Sequence, residues 1–419
     1  MKLPYKTYTA TGISVEHLIG LILFLYPSLL FLVRGGMNAS LFLLVIISIW
    51  LLATPRKPAW SLFDHTNTLF SVAMVSGVLV ILISQLYHQD LRGRYFDSSS
   101  RFLIAIPVLM ALRSVSFKSL STLQYAFPLG AISAFVAVMM YDPTVQFVAE
   151  TSFLNHIHLG DMALLLGFFS VFSINWIGRD SSFGMALKGL GFISGLAVSV
   201  LSGARGGWVA IPIFVIIFIY FRIKGGFLKK ISIVAMILMG MSLVAFVAIK
   251  PVQERVVSIY SDLSVLSSGN ADTSIGVRLQ LWKAAFHLIA EKPILGMGAE
   301  GFARSMDALS ASGFITPFAA EFGKGEVHNE ILAQTVRFGV FGLVSILAVY
   351  FVPFYLFVRA VKTGSNQQVG AALMGMCVTL GFFVFGLTVE TFNLKMTVAF
   401  YSLTVTVLLA IATHHSAEA

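Results

Sequence analysis

The stretches "IPIFVIIFIYF" (211–221) and "VAMILMGMSLVAFVAI" (234–249) are continuous apolar runs, and they decide the fold class. Backbone groups in lipid must find their hydrogen-bond partners within the protein, so only helices and closed barrels cross a bilayer. Barrel strands alternate apolar and polar residues, whereas these runs do not alternate. The pattern therefore predicts transmembrane helices.

Composition extends this prediction to the whole chain. Its 419 residues are 57% hydrophobic and only 11% charged, whereas a soluble domain carries about 25% charged residues. A hydrocarbon core of roughly 30 Å needs about 20 apolar residues per helix. The sequence therefore predicts an all-α polytopic membrane protein, with about twelve spans near residues 16–33, 39–54, 68–87, 102–112, 121–140, 159–176, 183–201, 207–221, 231–249, 329–358, 369–388 and 396–413.

Basic residues orient the spans, because short cytoplasmic loops retain Lys and Arg. Residues such as Arg113 and Arg359 place one set of loops inside, whereas residues 141–158 on the other side contain no Lys or Arg. Both chain ends are then expected inside, with the first apolar run, which starts near His17, as a retained signal anchor. The net charge of +9 is spread over many loops, so we expect no nucleic-acid partner.

One outer loop is far longer than the others and divides the chain. We expect the first nine spans in residues 1–249, a periplasmic loop with short helices in 250–328, and the last three spans in 329–419. Ser274 can cap a helix in this loop. The apolar residues of that helix should lie on the membrane or pack against the spans; they are Leu281, Trp282, Ala285, Phe286, Leu288 and Ile289.

Ionisable residues are scarce at the centres of the predicted spans. Ion-coupled transporters keep such groups near the midplane, so this scarcity argues against a carrier. Polar residues gather instead on the outer side, where no ATP is expected, and the sequence has no nucleotide-binding fingerprint. The energy for a synthetic reaction must then arrive in an activated substrate, such as a lipid-linked diphosphate, and we expect no cofactor.

Two arginines are candidates for binding that diphosphate. Arg205 lies in the glycine-rich turn "SGARGGW" (202–208), where glycines let the backbone approach a ligand closely. Arg278 lies in the long loop, one helical turn before Trp282. A guanidinium matches phosphate oxygens in geometry and charge. The alternatives are a snorkelling interfacial Arg205 and a surface Arg278 beside an apolar anchor.

His328 is the candidate base, in "GKGEVHNEILAQ" (323–334), where a polar stretch gives way to an apolar run. An imidazole accepts a proton near neutral pH. A sugar hydroxyl is a poor nucleophile until a base takes its proton. The alternative is a histidine that caps the following helix, and Asn329 and Glu330 do not decide between the two.

A further polar motif is "NHIHLGD" (155–161), which contains His156, His158 and Asp161. Such spacing could hold a metal. No cysteine and no second histidine pair accompanies it, so we predict no metal and interpret these residues as interfacial hydrogen-bonding groups beside the outer cavity.

These motifs resemble a known signature when they are taken in chain order. The turn "SGARGGW" is followed by R-x-x-x-W at 278–282, by "EKPILGMGAEGF" (291–302) and by "HNEILAQTVRFGVFGL" (328–343). Together they resemble the O-antigen ligase and polymerase superfamily, and within it the O-antigen ligases of Gram-negative bacteria. The resemblance covers about residues 200–345 by motif and nearly the whole chain by span count and loop placement.

The resemblance implies an inverting, metal-independent glycosyltransferase of the membrane-embedded GT-C type in the bacterial inner membrane. The implied donor is O-antigen polysaccharide on undecaprenyl diphosphate, and the implied acceptor is the lipid A–core oligosaccharide. By match to the motifs, Arg205 and Arg278 would bind the diphosphate, and His328 would be the catalytic base. The oligomeric state is left open.

Other outer arginines have no counterpart in these motifs. Arg92, Arg94 and Arg101 break the positive-inside pattern, and we hypothesise that they contact substrate phosphates. Arg337, at the start of the tenth span, is a weaker candidate for facing the cavity. An O-antigen polymerase, a protein O-oligosaccharyltransferase, which often carries extra C-terminal sequence, and a lipid or glycan transporter remain as alternative functions.

Overall fold

The computed structural model describes residues 14–54, 64–141, 148–248 and 271–414, together with Gln253. Over these residues the chain is helical and contains no strand, which confirms the all-α class. The helices are α1 Val15–Leu32, α2 Gly36–Ala53, α3 His65–Tyr87, α4 Phe96–Leu112, α5 Phe117–Leu120, α6 Leu123–Tyr141, α7 His156–Phe172, α8 Ser182–Leu201, α9 Arg205–Trp208, α10 Ala210–Arg222, α11 Phe227–Ala248, α12 Ser274–Glu291, α13 Gly301–Ala311, α14 Pro317–Gly323, α15 Glu330–Thr363, α16 Asn366–Gly386 and α17 Lys395–Ala412.

Within the described ranges, ten segments are long and apolar enough to cross a membrane. The other two predicted spans fall on α7, which is a shorter apolar helix of 17 residues, and on α11, which has 22 residues. The multi-pass membrane architecture is therefore confirmed. Parts of the predicted boundaries, in residues 1–13, 249–252 and 254–270, lie outside the described residues.

The last two helices, α16 and α17, form the centre of the bundle and are buried along most of their length. An aromatic cluster joins α17 to its neighbours: the ring of Tyr401 lies 4.9 Å from that of Phe382 and 5.0 Å from that of Phe392. Large apolar side chains face outward instead, such as Phe183 at 77% and Leu228 at 79% exposure. An apolar exterior of this extent fits lipid as the surrounding solvent.

The helices α12, α13 and α14 form a second, smaller core against the start of α15. Leu281 and Leu288 of α12 are buried there with Met306 of α13 and Val336 of α15. Packing against a span, one of the two predicted positions for α12, is therefore confirmed, although Phe286 is 61% exposed and does not take part. The N-cap is Thr273, whose side chain accepts from the Gly276 N–H at 3.1 Å, rather than the predicted Ser274.

A backbone clasp fixes this loop region to α15, where the helix is broken at Gly339 (φ +64°). The segment 293–298 supplies the missing partners: the Val340 N–H donates to the Pro293 carbonyl at 2.8 Å. In return, the Met297 N–H donates to the Val336 carbonyl at 2.8 Å. A Cβ on Gly339 would lie 2.2 Å from the Ile294 carbonyl oxygen, so the contact requires glycine.

Candidate active site

Arg205 and Arg278 converge on one cavity of about 380 Å³, which we call the arginine cavity. Arg205 begins the short helix α9, and Arg278 lies in the first turns of α12. The remaining lining residues include His156, Ser274 and Thr388. Two arginines that lie more than seventy positions apart in the sequence thus reach the same space.

The glycines of the "SGARGGW" turn serve packing within the protein. A Cβ on Gly206 would lie 2.2 Å from Thr388 Oγ1, and one on Gly207 would lie 2.2 Å from Asp161 Oδ1. Gly203 adopts a positive φ of +68°. Gly206 and Gly207 let the turn fit tightly against the loop after α16 and against α7, which places Arg205 at the cavity. Gly203 and Gly206 also line the cavity, and their close approach to a ligand stays a prediction.

Arg278 is partly buried and carries a positive charge into the cavity. Burial lowers the pKa of its guanidinium, and the negative charge of Glu326 opposes that shift. An arginine stays protonated in proteins despite such shifts. Among the ion pairs of the described residues, none within 4.0 Å involves Arg278. Its charge is therefore available to an anionic ligand.

His328 is not among the lining residues of this cavity, but its backbone is linked to the helix that carries Arg278. The Trp282 indole N–H donates to the His328 carbonyl at 3.4 Å, and Trp282 is one helical turn from Arg278. The backbone of His328 has a φ of +56°, which is uncommon for a residue other than glycine. The N-cap of α15 is Asn329, whose Oδ1 accepts from the Leu332 N–H at 3.0 Å. The helix-capping alternative for His328 is therefore wrong.

Glu326 contacts the imidazole of His328. Its Oε1 lies 2.7 Å from His328 Nδ1, although the ring nitrogen is not aligned for a good hydrogen bond. Burial raises the pKa of Glu326, but the contact with His328 and the backbone N–H of Glu390 outweigh this and hold the pKa below its ordinary range. An ionised carboxylate therefore contacts the imidazole of His328, and its charge also acts on Arg278.

The loop 387–394, which joins α16 to α17, holds residues 326–330 in place through hydrogen bonds. The fully buried Glu390 side chain accepts from the Val327 N–H at 2.7 Å, and the Glu390 N–H donates to Glu326 Oε2 at 3.3 Å. Glu330 accepts from the Phe392 N–H at 2.9 Å. These bonds fix the residues on both sides of His328.

Arg337 does not line the arginine cavity. It forms a two-point ion pair with Glu390, at 2.6 Å and 3.1 Å, and lines a second cavity of about 490 Å³. Arg337 therefore faces this second cavity rather than the arginine cavity, because the buried Glu390 carboxylate holds its guanidinium there.

Arg101 reaches neither of these cavities. It is 5% exposed, and its Nε donates to Asn38 Oδ1 at 2.8 Å, while its NH1 lies 3.2 Å from Asp97 Oδ1. The hypothesised substrate contact is not supported by this position, since the side chain joins α4 to α2. Arg92 pairs with Asp90.

The second cavity, which we call the paired-charge cavity, has a charged rim and an apolar floor. On its rim, Arg94 pairs with Glu300 and Lys395 pairs with Asp97. Its floor consists of apolar residues of α4, α15 and the 387–394 loop, among them Phe102, Ile346, Val349 and Phe392. This cavity offers polar groups for hydrogen bonding together with an apolar surface.

The "NHIHLGD" motif contributes to the wall of the arginine cavity. His156 lines it, whereas His158 and Asp161 are buried behind it. No three His, Cys, Asp or Glu side chains within the described part of the chain are grouped so that they could hold a metal ion.

The sequence alone did not identify three residues of this site: Glu326, Thr388 and Glu390. Glu390 offers a usable signal, because it is an acidic residue between two long apolar runs, where a charge is costly unless it is paired. Thr388 and Glu326 have no comparable signal, since their importance comes from contacts with distant residues.

Comparison with known proteins extends the resemblance. Residues 190–347 match the family model described as O-antigen ligase. This interval contains Arg205, Arg278, His328 and Arg337. Residues 190–347 therefore belong to the O-antigen ligase family. The family indicates an enzyme of glycosyl transfer in lipopolysaccharide biosynthesis.

Two relatives show how far this similarity extends. An uncharacterized protein of Haemophilus influenzae is 26% identical over 378 residues, which are 87% of this chain and 91% of that protein. An O-antigen ligase of Escherichia coli K12 is 29% identical over 128 residues, which are 30% of each chain. The family match at residues 190–347 covers Arg205, Arg278 and His328, whereas His156 and Thr388 of the arginine cavity lie outside it.

Proposed function

We propose that the chain is an O-antigen ligase. It transfers O-antigen polysaccharide from undecaprenyl diphosphate to the lipid A–core oligosaccharide, with inversion and without metal or ATP, at the periplasmic face of the bacterial inner membrane. The observation that carries this proposal is the convergence of Arg205 and Arg278 on one cavity, with His328 hydrogen-bonded through its carbonyl to Trp282 of the helix that carries Arg278.

The arginine cavity binds the diphosphate of the donor in this proposal. Arg278 has no carboxylate within 4.0 Å among the described residues, so a diphosphate can compensate its charge. As the glycosidic C–O bond breaks, negative charge grows on the leaving diphosphate, and preorganised cations stabilise it. Removing one such group typically costs on the order of 3 kcal/mol of barrier.

His328 acts as the base. Its Nδ1 faces Glu326, which leaves Nε2 to accept the proton of the core hydroxyl. The hydroxyl oxygen attacks the anomeric carbon, the bond to the diphosphate oxygen breaks, and the proton stays on the imidazole. The carboxylate of Glu326 stabilises the imidazolium that forms.

The membrane supplies part of the positioning. His328 immediately precedes α15, one of the long apolar helices, so the reaction takes place at the edge of the bilayer. Both proposed substrates carry lipid anchors and are confined to the same leaflet, which reduces the entropy cost of bringing them together.

The test is reconstitution of the purified full chain with lipid-linked O-antigen and rough lipopolysaccharide, in the presence of a chelator and without ATP. A ladder of capped lipopolysaccharide is expected. Longer lipid-linked chains would instead identify a polymerase, and a glycosylated protein acceptor would identify a protein O-oligosaccharyltransferase. His328→Ala should remove the ladder, whereas the control His287→Ala, an exposed histidine of α12, should retain it.

A further inference from the structure

A third cavity, of about 540 Å³, lies at the end of the helix bundle opposite the arginine cavity. The helix α15 connects the two ends, because it begins beside His328 and its last turns line this third cavity. The start of α3, the end of α4, the start of α16 and the end of α17 complete the wall. The distribution of basic residues predicts that this end faces the cytoplasm.

Basic side chains dominate the lining of this cavity. Arg113, Arg359, His65 and His414 are present, and Asp64 is the only carboxylate among the described lining residues. Asp64 is already engaged, since its Oδ2 lies 2.5 Å from Arg113 NH1 and its Oδ1 caps α3. The one negative charge is therefore matched by Arg113.

Arg359 brings a second positive charge for which the described residues provide no carboxylate within 4.0 Å. Its NH1 instead lies 2.7 Å from His65 Nδ1, where the ring nitrogen accepts the hydrogen bond. The guanidinium also lies 6.0 Å from the ring centre of Tyr355, one turn earlier in α15. Tyr355 is 48% exposed on the outside of the bundle, and such aromatic residues mark the headgroup level of a membrane.

We infer that this cavity binds a phosphate group, with Arg359 as its principal cation. A guanidinium fork fits phosphate oxygens in geometry and in charge. Basic pockets between membrane helices on the cytoplasmic side bind the headgroups of anionic lipids. The same chemistry also fits inorganic phosphate, so the two sources have to be separated by experiment. The inference does not depend on the proposed transfer reaction.

Occupancy of this site joins the ends of five helices, α3, α4, α15, α16 and α17. A ligand that binds the folded but not the unfolded protein stabilises the folded state. This stabilisation grows with the logarithm of the ligand concentration once that concentration exceeds the dissociation constant. Phosphate binding should therefore raise the unfolding temperature of the protein, and removal of the Arg359 charge should abolish that increase.

The experiment compares the full chain in phosphatidylcholine nanodiscs with and without phosphatidylglycerol, by native mass spectrometry of retained lipid and by thermal unfolding. We expect selective retention of phosphatidylglycerol and a higher unfolding temperature. Arg359→Gln should reduce retention by about fivefold, as expected for one basic residue near the membrane surface. Arg359→Lys, which keeps the charge without the fork, should give an intermediate value.

The matched control is Lys362→Gln, a basic residue of the same helix end that is exposed and does not line the cavity. It should bind phosphatidylglycerol as the parent does. Inorganic phosphate that raises the unfolding temperature without lipid, and does so only when Arg359 is present, would identify free phosphate as the ligand. Equal losses in the Arg359 and Lys362 variants, or equal retention of the two lipids by the parent, would overturn the inference.

Discussion

Arg278 of the arginine cavity and the arginines of the paired-charge cavity differ in how their charges are compensated. In the paired-charge cavity, Arg337 is bound at two points by Glu390, and Arg94 pairs with Glu300. In the arginine cavity, Arg278 has only the distant charge of Glu326 as compensation among the described residues. The neighbouring carboxylate, rather than the arginine itself, thus decides whether the charge supports the fold or is available to a substrate.

Two glutamates produce this difference, although they are joined by a hydrogen bond. Glu390 is fully buried and directed to Arg337, while Glu326 is directed to His328. The backbone N–H of Glu390 donates to Glu326 Oε2. The Glu326 carboxylate thus helps to position the residue Glu390, whose own carboxylate binds Arg337. Variants of His328, Glu326 and Arg278 should therefore change chemical activity, whereas a variant of the Arg337–Glu390 pair should change folding stability.

The largest expected effect is that of His328→Ala on ligation. The loss of a general base typically reduces the rate by roughly 10²–10⁴-fold, while donor binding should remain because the arginines are unchanged. Initial rates of lipopolysaccharide capping and binding of the lipid-linked donor measure the two separately. Normal turnover in this variant would remove His328 from the mechanism.

Glu390→Gln should act mainly on stability. The change leaves Arg337 in a buried position without its carboxylate, and breaking such a pair costs about 3–5 kcal/mol. Thermal or denaturant unfolding in a defined detergent would measure this loss. A parental unfolding temperature for Glu390→Gln would mean that the paired arginine does not support the fold, and the distinction between the two cavities would be lost.

Arg278→Gln should show the opposite behaviour. Removal of one preorganised cation should lower the rate by about 10²–10³-fold, with little loss of stability because no carboxylate loses a direct ion-pair partner. Arg278→Lys restores the charge without the fork and should recover part of the rate. Parallel measurement of ligation rate and unfolding temperature checks both statements, and a fall in stability like that of Glu390→Gln would contradict them.

Glu326→Gln should have a smaller effect on the rate. The contact between its carboxylate and the protonated imidazole is charge-assisted, and loss of such an interaction typically reduces the rate by about tenfold or more. The fall should appear in kcat rather than in KM for the donor, since Glu326 does not line the arginine cavity. A change in KM alone would assign Glu326 to donor binding instead.

The smallest effect is expected for Arg94→Gln on the rim of the paired-charge cavity. Its side chain is 59% exposed and already paired with Glu300, and exposed pairs of this kind contribute little because solvent screens their charges. Ligation and acceptor affinity should stay close to the parental values. A strong loss of acceptor affinity would instead revive the hypothesis that the outer arginines contact substrate phosphates.

The features predictable from the sequence are those that it encodes locally. Apolar runs determine the helices, and the glycine-rich turn and the R-x-x-x-W spacing identify Arg205 and Arg278. The partner of Arg337 could not be identified in this way, because Glu390 is 53 positions away and is brought close only by the packing of α15, α16 and α17. Arg101 shows the same limit, since Asn38 lies 63 positions before it.

Local sequence was also ambiguous where two neighbours could perform the same task. Both His328 and Asn329 stand at the start of an apolar run, and either could cap it. Asn329 takes the capping position in the structure, and its neighbour is left in a left-handed conformation that directs it to Glu326. A cap is a backbone geometry, so residue type alone could not decide between the two.

The clasp at Gly339 bears on how a bulky lipid-linked chain could reach the site. Lifting the 293–298 segment off α15 would leave main-chain donors and acceptors unsatisfied beside the apolar core of the bundle, which is costly. The 293–298 segment is therefore expected to stay fixed to α15 rather than to open. In the proposed reaction, the lipid-linked donor and product then have to enter and leave laterally, between helices.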